Sequence, residues 1–214
     1  YIKYGAEVLH KLRGQFAFAI YDSRKKLLFL ARDRIGIKPL YFANYKDWFV
    51  FGSEIKSIEG SKVIPFSPDI ESYIAYLRHL AVPKDRTGNM NISKIEPGEY
   101  IEVSSEGKIE KNKYWDPFMF KVDKDISKKE ALSKVEKLLE DSVEYRKVSD
   151  VEVGLFLSGG IDSSLIGKLM KDNDRSRLKG FNIDYEEHFQ GYKGEVEEAS
   201  YAASLLGFEL IKEK

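Results

Sequence analysis

Apolar positions along this 214-residue chain recur with two different periods, and the change of period divides it. Residues 1–12 read as the end of a helix with Ile2, Val8, Leu9 and Leu12 as its apolar positions, stopped by Gly14. Residues 15–22, Gln-Phe-Ala-Phe-Ala-Ile-Tyr-Asp, are apolar on both faces and predict a central strand, and residues 27–31 return after a polar turn as its hairpin partner. Residues 40–43 and 48–52 are further short strands around Asn44-Tyr45-Lys46-Asp47, after which Ser53 is expected to cap a helix over 54–58. Asp69 starts a longer helix whose apolar stripe, Ile70, Tyr73, Ile74 and Leu77, is expected to face the core. Residues 99–103 and 108–115 predict a hairpin across 104–107.

Residues 121–126 are charged and aperiodic and are expected to link two domains, 1–120 and 127–214. Helical spacing dominates the second. Ser127-Lys128-Lys129-Glu130 is a capping box, and Leu132, Val135, Leu138, Leu139 and Val143 behind it form the face expected to be buried. Residues 151–157 predict a buried strand, and Leu165, Ile166, Leu169 and Met170 fit one face of the following helix. A second strand over 178–184, a helix over 194–206 opened by Glu195, Glu197 and Glu198, and a third strand over 208–211 complete the pattern. Strand–helix–strand–helix–strand predicts the start of an α/β parallel doubly wound sheet.

Composition narrows the class. A hydrophobic fraction of 43% is ample for a core and excludes a disordered chain. Lys+Arg and Asp+Glu balance at 35 each, so no electrostatic bias draws the chain to nucleic acid or to a membrane surface. No apolar run is long enough to span a bilayer. The absence of cysteine excludes disulfides and thiolate metal sites, and His10, His79 and His188 stand in no metal-ligand spacing. The sequence opens on Tyr1 and closes on Lys214 directly after a strand-like run, and it is expected to be an internal piece of a longer cytoplasmic chain.

The chemistry concentrates in Leu157-Ser158-Gly159-Gly160-Ile161-Asp162-Ser163-Ser164, at a predicted strand-to-helix turn. A helix begins there with unpaired backbone N–H groups and the positive end of its dipole, which suit an anion. Gly159 and Gly160 remove side chains that would hold a phosphate off the backbone, and Ser158, Ser163 and Ser164 add short hydroxyl donors. Asp162 would repel phosphates unless a cation lay between, which argues for Mg²⁺ bound through one carboxylate and phosphate oxygens. No G-x-x-x-x-G-K-[ST] pattern occurs, so this is a pyrophosphate cradle of another kind.

The stretch resembles the S-G-G-x-D-S-S signature of ATP-pyrophosphatases. Upstream, Leu12-Arg13-Gly14-Gln15-Phe16-Ala17-Phe18-Ala19-Ile20-Tyr21-Asp22 resembles the L-x-G-M-F-A-F-A-x-Y-D of glutamine amidotransferases, with Gln15 in place of the Met. Ala31-Arg32-Asp33-Arg34-Ile35-Gly36-Ile37-Lys38-Pro39-Leu40-Tyr41 is similar to their A-R-D-x-x-G-x-K-P-L-Y, and Gly52-Ser53-Glu54-Ile55-Lys56-Ser57-Ile58 to their A-S-E-x-K-A-L. Taken in order, these look like glutamine-hydrolysing asparagine synthetase. The resemblance implies an α+β, incomplete N-terminal-nucleophile αββα sandwich followed by an incomplete adenine-nucleotide α-hydrolase-like sheet. It implies small-molecule partners (ATP, aspartate and glutamine) with Mg²⁺ as cofactor, no nucleic-acid or membrane partner, and a homodimer as the assembly to test.

Carried over by position, Ser158, Gly159, Gly160, Asp162, Ser163 and Ser164 would hold the pyrophosphate, Asp162 through the metal, while Leu157 and Ile183 would flank the adenosine or serve simply as strand core. The resemblance places the glutaminase cysteine and the N-G-E stretch upstream of Tyr1 and an S-G-x-G-x-D-E loop downstream of Lys214, so the piece alone is expected to be inactive. Arg32-Asp33-Arg34 is read as a solvated turn with surface ion pairs rather than as catalytic. Sugar-amide and lactam-forming relatives, and a non-catalytic protein that keeps the fold, remain alternatives at this stage.

Overall fold

The core of the first unit lies between two antiparallel sheets. In the computed structural model, which describes residues 1–172, 178–183 and 195–213, the chain divides into Tyr1–Val122 and Asp123–Lys214. In the first unit α1 (Val8–Lys11) precedes the hairpin β1 (Ala17–Asp22) and β2 (Leu27–Arg32). Then follow β3 (Tyr41–Tyr45), β4 (Trp48–Gly52), α2 (Ile55–Gly60), α3 (Ile70–His79), β5 (Ser93–Lys94), β6 (Glu99–Ser104) and β7 (Ile109–Lys113). One sheet has the order β1-β2-β6-β7 and the other β4-β3-β5. Leu30, Ile101 and Val103 of the first sheet share one apolar cluster with Leu40, Phe42 and Ile95, and Phe29 and Ala31 pack with Leu9 and Tyr114 on the opposite face.

The strand buried on both faces is therefore β2, and β1 lies at the sheet's edge among the described residues. The expectation of a central strand over 15–22 is corrected for a simple reason. The outward positions carry Ala19 and Tyr21, which look apolar in sequence but sit in solvent, while Phe18 and Ile20 pack inward. The cap of α2 also shifts by one residue: Glu54 is the N-cap, with no side-chain cap bond.

Asp33 is 1% exposed and organises the turn that leaves β2. Its carboxylate accepts the backbone N–H groups of Phe16 (3.4 Å), Ile35 (3.2 Å), Ile37 (3.1 Å) and Lys38 (3.0 Å). Arg32 closes the same turn from the other side, donating to the carbonyls of Lys38 (2.8 Å), Ile95 (2.6 Å) and Gly36 (2.6 Å). This is a buried brace, and the reading of residues 32–34 as a solvated turn with ion pairs is wrong in its environment though right in assigning structure. Burial alone pushes the Asp33 carboxyl up, but the four N–H donations outweigh it and hold it below the usual carboxylate range.

A second polar brace fixes α3. Asp69 caps the helix by accepting from Ser72 N–H (3.3 Å) and receives Arg86 in a bidentate pair at 2.8 and 2.5 Å. Hydrogen bonds from Arg86 and Ser72 lower its carboxyl to about 2. Thr87 accepts from Asn89 N–H (3.1 Å) and donates to the Ile92 carbonyl (2.8 Å), so the loop behind α3 is held from within. The apolar stripe of α3 is not core, however: Ile70, Tyr73 and Ile74 are exposed and Leu77 is 79% exposed, while Ser72 is the buried residue.

In the second unit α4 (Lys128–Lys147), β8 (Leu155–Phe156), α5 (Ile161–Asp172), β9 (Lys179–Ile183), α6 (Val196–Leu206) and β10 (Glu209–Glu213) follow in order. The three strands are parallel, with β9 between β8 and β10. Val143, Leu169, Met170, Ala202 and Ala203 from the three helices meet Leu157 and Phe208 in one cluster, so the helices cover one face of the sheet. That explains two corrections. Only the C-terminal part of α4 has this core to lie on, leaving Leu132, Val135 and Leu138 exposed, and 151–157 is not a fully buried strand, since Phe156 on the other face is 73% exposed. Ser127 accepts from Glu130 N–H (3.2 Å), but the Glu130 carboxylate pairs with Lys134 (3.0 Å). Asp184, His188 and Gly194 lie outside the described residues.

Replacing Asp33 with alanine strips four backbone donors of their acceptor and is expected to cost about 3 kcal/mol in chemical denaturation. Asp69 has its folded pKa depressed, so its contribution is complete above the unfolded value of about 3.9 and is lost as pH falls toward its folded value. Denaturant midpoints measured from pH 6 to 2 should fall less steeply in Asp69→Asn than in the parent.

Candidate functional site

The loop between β8 and α5 is shaped from both ends. Leu157 is buried, and its N–H donates to the Phe181 carbonyl at 2.8 Å as the last rung between the two strands. At the other end Ser164 N–H donates to the Gly160 carbonyl at 3.0 Å, the first bond of α5. Between them the hydroxyls of Ser158 and Ser163 lie 3.0 Å apart. Ser163 Oγ donates to the Gly160 carbonyl (3.2 Å) and accepts Ser158 N–H (3.4 Å), and Gly160 N–H donates to Ser158 Oγ (3.3 Å). Either hydroxyl of this pair can donate to the other, and with the two Gly160 backbone groups they close a ring that holds the turn. Two of the three serines anticipated as ligand donors thus hold the loop together, while Ser164 faces a cavity.

The two glycines do different work. Gly159 has φ +81°, and a Cβ there would lie 2.4 Å from the carbonyl carbon of Glu198 in the first turn of α6. Its missing side chain makes room for the helix. A Cβ on Gly160 would meet only Ser158 Oγ, at 3.3 Å, so the backbone there is open. The opening continues to the exposed Asp162 in the first turn of α5, where the N–H groups have no intrahelical acceptor. Behind the loop a cavity of about 280 Å³ is lined by Gly159, Ser164, Glu198, Tyr201 and Leu205 among others, and is mainly apolar.

The remaining sequence-derived positions separate. The Leu157 side chain belongs to the core, leaving only its backbone at the site, whereas Ile183 ends β9 with 59% of its surface exposed. Glu197 and Glu198 stand in the first turn of α6 and Glu195 is its N-cap. His10 lies 3.9 Å from Glu7 and edge-on to Tyr114. Among the described residues no group of three or more His, Cys, Asp or Glu could hold a metal ion. Asn182, which sequence reading passed over, donates Nδ2 to the Leu157 carbonyl at 2.9 Å. No local signal marked it, because an amide in a short strand that also carries Lys179 is ordinary and its partner lies 25 residues away.

Residues 1–115 match the profile of the glutamine amidotransferase domain, and residues 134–213 match that of asparagine synthase. The chain belongs to the glutamine amidotransferase domain family. The chain is 36% identical over 211 residues to glutamine-hydrolysing asparagine synthetase 1 of Bacillus subtilis strain 168, covering 99% of itself and 32% of that relative. It is 34% identical over 212 residues to a putative glutamine-hydrolysing asparagine synthetase 2 of Methanocaldococcus jannaschii, covering 97% and 39%. With amidase chyE of Penicillium rubens it shares 34% identity over 182 residues, covering 84% and 26%. It spans about a third of the length of the first two.

Adding a methyl group separates the roles of the two glycines. Gly159→Ala meets both a left-handed backbone and the Glu198 carbonyl and should cost about 2–4 kcal/mol in the unfolding of the second unit. Gly160→Ala should cost less than about 1 kcal/mol in the same measurement.

Proposed function

We propose that the protein carrying this chain is an ATP-dependent carbon–nitrogen ligase that makes asparagine from aspartate with ammonia taken from glutamine. The first unit is then part of an N-terminal-nucleophile sandwich, and the second is the opening half of an adenine-nucleotide α-hydrolase-like sheet. Support comes from the asparagine synthase match over 134–213 and from the names of the bacterial and archaeal relatives. The observation that carries the reading is the open backbone at Gly160, leading into the first turn of a 12-residue helix at the carboxyl end of a parallel strand.

On this reading an oxygen of the aspartate β-carboxylate attacks the α-phosphorus of ATP. The bond to the bridging oxygen breaks, pyrophosphate leaves with that electron pair, and β-aspartyl-AMP forms. Ammonia then attacks the acyl carbon and AMP departs. The N–H groups at the start of α5 face the leaving pyrophosphate, and its negative charge is met by the helix dipole. The exposed Asp162 carboxylate fits a magnesium ion that would take its other ligands from water and phosphate, supplying charge neutralisation as pyrophosphate leaves. Ser158 and Ser163 keep the loop in shape, and the Leu157 backbone and Ile183 flank the adenosine. Among the described residues no helix is long and apolar enough to cross a membrane; the small, soluble substrates of this reading favour a cytoplasmic site of action. The fungal relatives named as amidases favour a second reading, in which the same adenylation acts on another carboxylate.

The test uses the full-length protein with ATP, Mg²⁺, L-aspartate and either glutamine or ammonia, with nucleotide products resolved. AMP and pyrophosphate released only with aspartate are expected. ADP as the product would sink the pyrophosphate-loop reading, and AMP released with a different carboxylate would establish the second reading. Gly160→Ala should weaken Mg·ATP binding by about tenfold or more, the equivalent of about 1.4 kcal/mol, by obstructing the open backbone.

A further inference from the structure

Leu178, Gly180 and Asn182 form the buried row that runs into the end of β9. Asn182 is 7% exposed, and its two amide atoms are treated differently. Nδ2 donates to the Leu157 carbonyl at 2.9 Å, while Oδ1 is buried without a partner. The ladder between β8 and β9 runs Leu155↔Gly180 and Phe156↔Phe181 and closes with Leu157 N–H on the Phe181 carbonyl. At the next acceptor, the Leu157 carbonyl just past the end of β8, a side chain takes the place of a backbone donor.

We propose that Asn182 is a positioning residue for the loop over 158–160: its amide captures the Leu157 carbonyl, ends the ladder there, and fixes the direction in which the chain leaves the sheet for α5. The Leu157 carbonyl and the Ser158 N–H belong to one rigid peptide plane. Holding the carbonyl on one side therefore aims the Ser158 N–H on the other, toward Ser163 Oγ at 3.4 Å. Ser163 in turn holds the Gly160 carbonyl, so the orientation set by Asn182 passes through a single plane and a single hydroxyl to the open glycine. A merely space-filling role does not account for the residue. An apolar side chain of similar size would occupy the same position without burying an unpartnered Oδ1, whose desolvation opposes folding.

Two variants of the full-length protein test this: Asn182→Leu, which keeps the branched heavy-atom shape without polar atoms, and Asn182→Asp, which keeps the shape but, when ionised, loses the donor. In both, hydrogen exchange at the backbone amides of residues 158–163 should accelerate about tenfold or more while amides of β10 and α6 keep their rates. The Asn182→Leu variant should melt within a few degrees of the parent, because relief of the buried Oδ1 offsets the loss of the donor to the Leu157 carbonyl, and its Kd for Mg·ATP should rise about tenfold. The nucleotide arm rests on the pyrophosphate-loop reading; the exchange arm does not. A parent protein that fails to bind Mg·ATP would refute that reading and leave exchange to decide the role of Asn182. Loop exchange within about twofold of the parent would overturn the proposal. So would loss of protection spread across the whole unit with a lowered melting temperature, which marks general packing.

Discussion

The carboxylate of Asp33 is the point on which the first unit turns. Two sheets can share a core only if the chain passes from one to the other through a tight segment whose backbone donors are satisfied away from water. Residues 33–38 make that passage, and one buried side chain supplies acceptors for several of its N–H groups while Arg32 supplies donors for its carbonyls. Acceptor and guanidinium are adjacent in sequence and act on opposite sides of the same turn. Tyr114, at the far end of the unit, adds its hydroxyl to the Arg32 carbonyl at 2.9 Å and ties the last strand to the same place. Neither charge has to meet substrate for the pair to be indispensable.

The second unit uses a comparable economy at its loop. A strand ends, a helix begins, and the turn between them is held by two hydroxyls and one amide, all neutral. Neutral fastening leaves the α5 dipole and the carboxylates of Asp162 and Glu198 as the charged features beside the loop, and the proposed Mg·ATP site would draw on the first two. Parallel strands with helices on one face place this opening at the carboxyl end of the sheet.

Much of this was legible in the sequence, and the failures share a cause. The alternation of strand and helix after residue 150, the hairpins, and the glycine–serine loop were all readable because local period and turn chemistry agree with the fold there. Burial was less readable. Ile70, Leu77, Leu132 and Leu138 sit on stripes with good helical spacing, yet spacing shows only that a face is apolar, not that anything covers it. For Arg32 and Asp33 the charge itself misled, since a charged turn is ordinarily at the surface and the hydrogen bonds that bury this one reach residues as far away as Ile95. Asn182 and Gly159 were opaque for the same reason: each answers to a residue that is distant in sequence, Leu157 for one and Glu198 for the other.

The contact between Gly159 and α6 has a further consequence for how such chains can vary. What the glycine meets is the carbonyl carbon, the carbonyl oxygen and the Cβ of Glu198, atoms that every residue except glycine carries in full. The fit is therefore blind to the identity of the side chain at 198. Substitutions there can accumulate without any answering change at 159, and the closest approach in the site would leave no trace of covariation. A reader of aligned sequences would see an invariant glycine beside a freely drifting partner, and would have no reason to pair them.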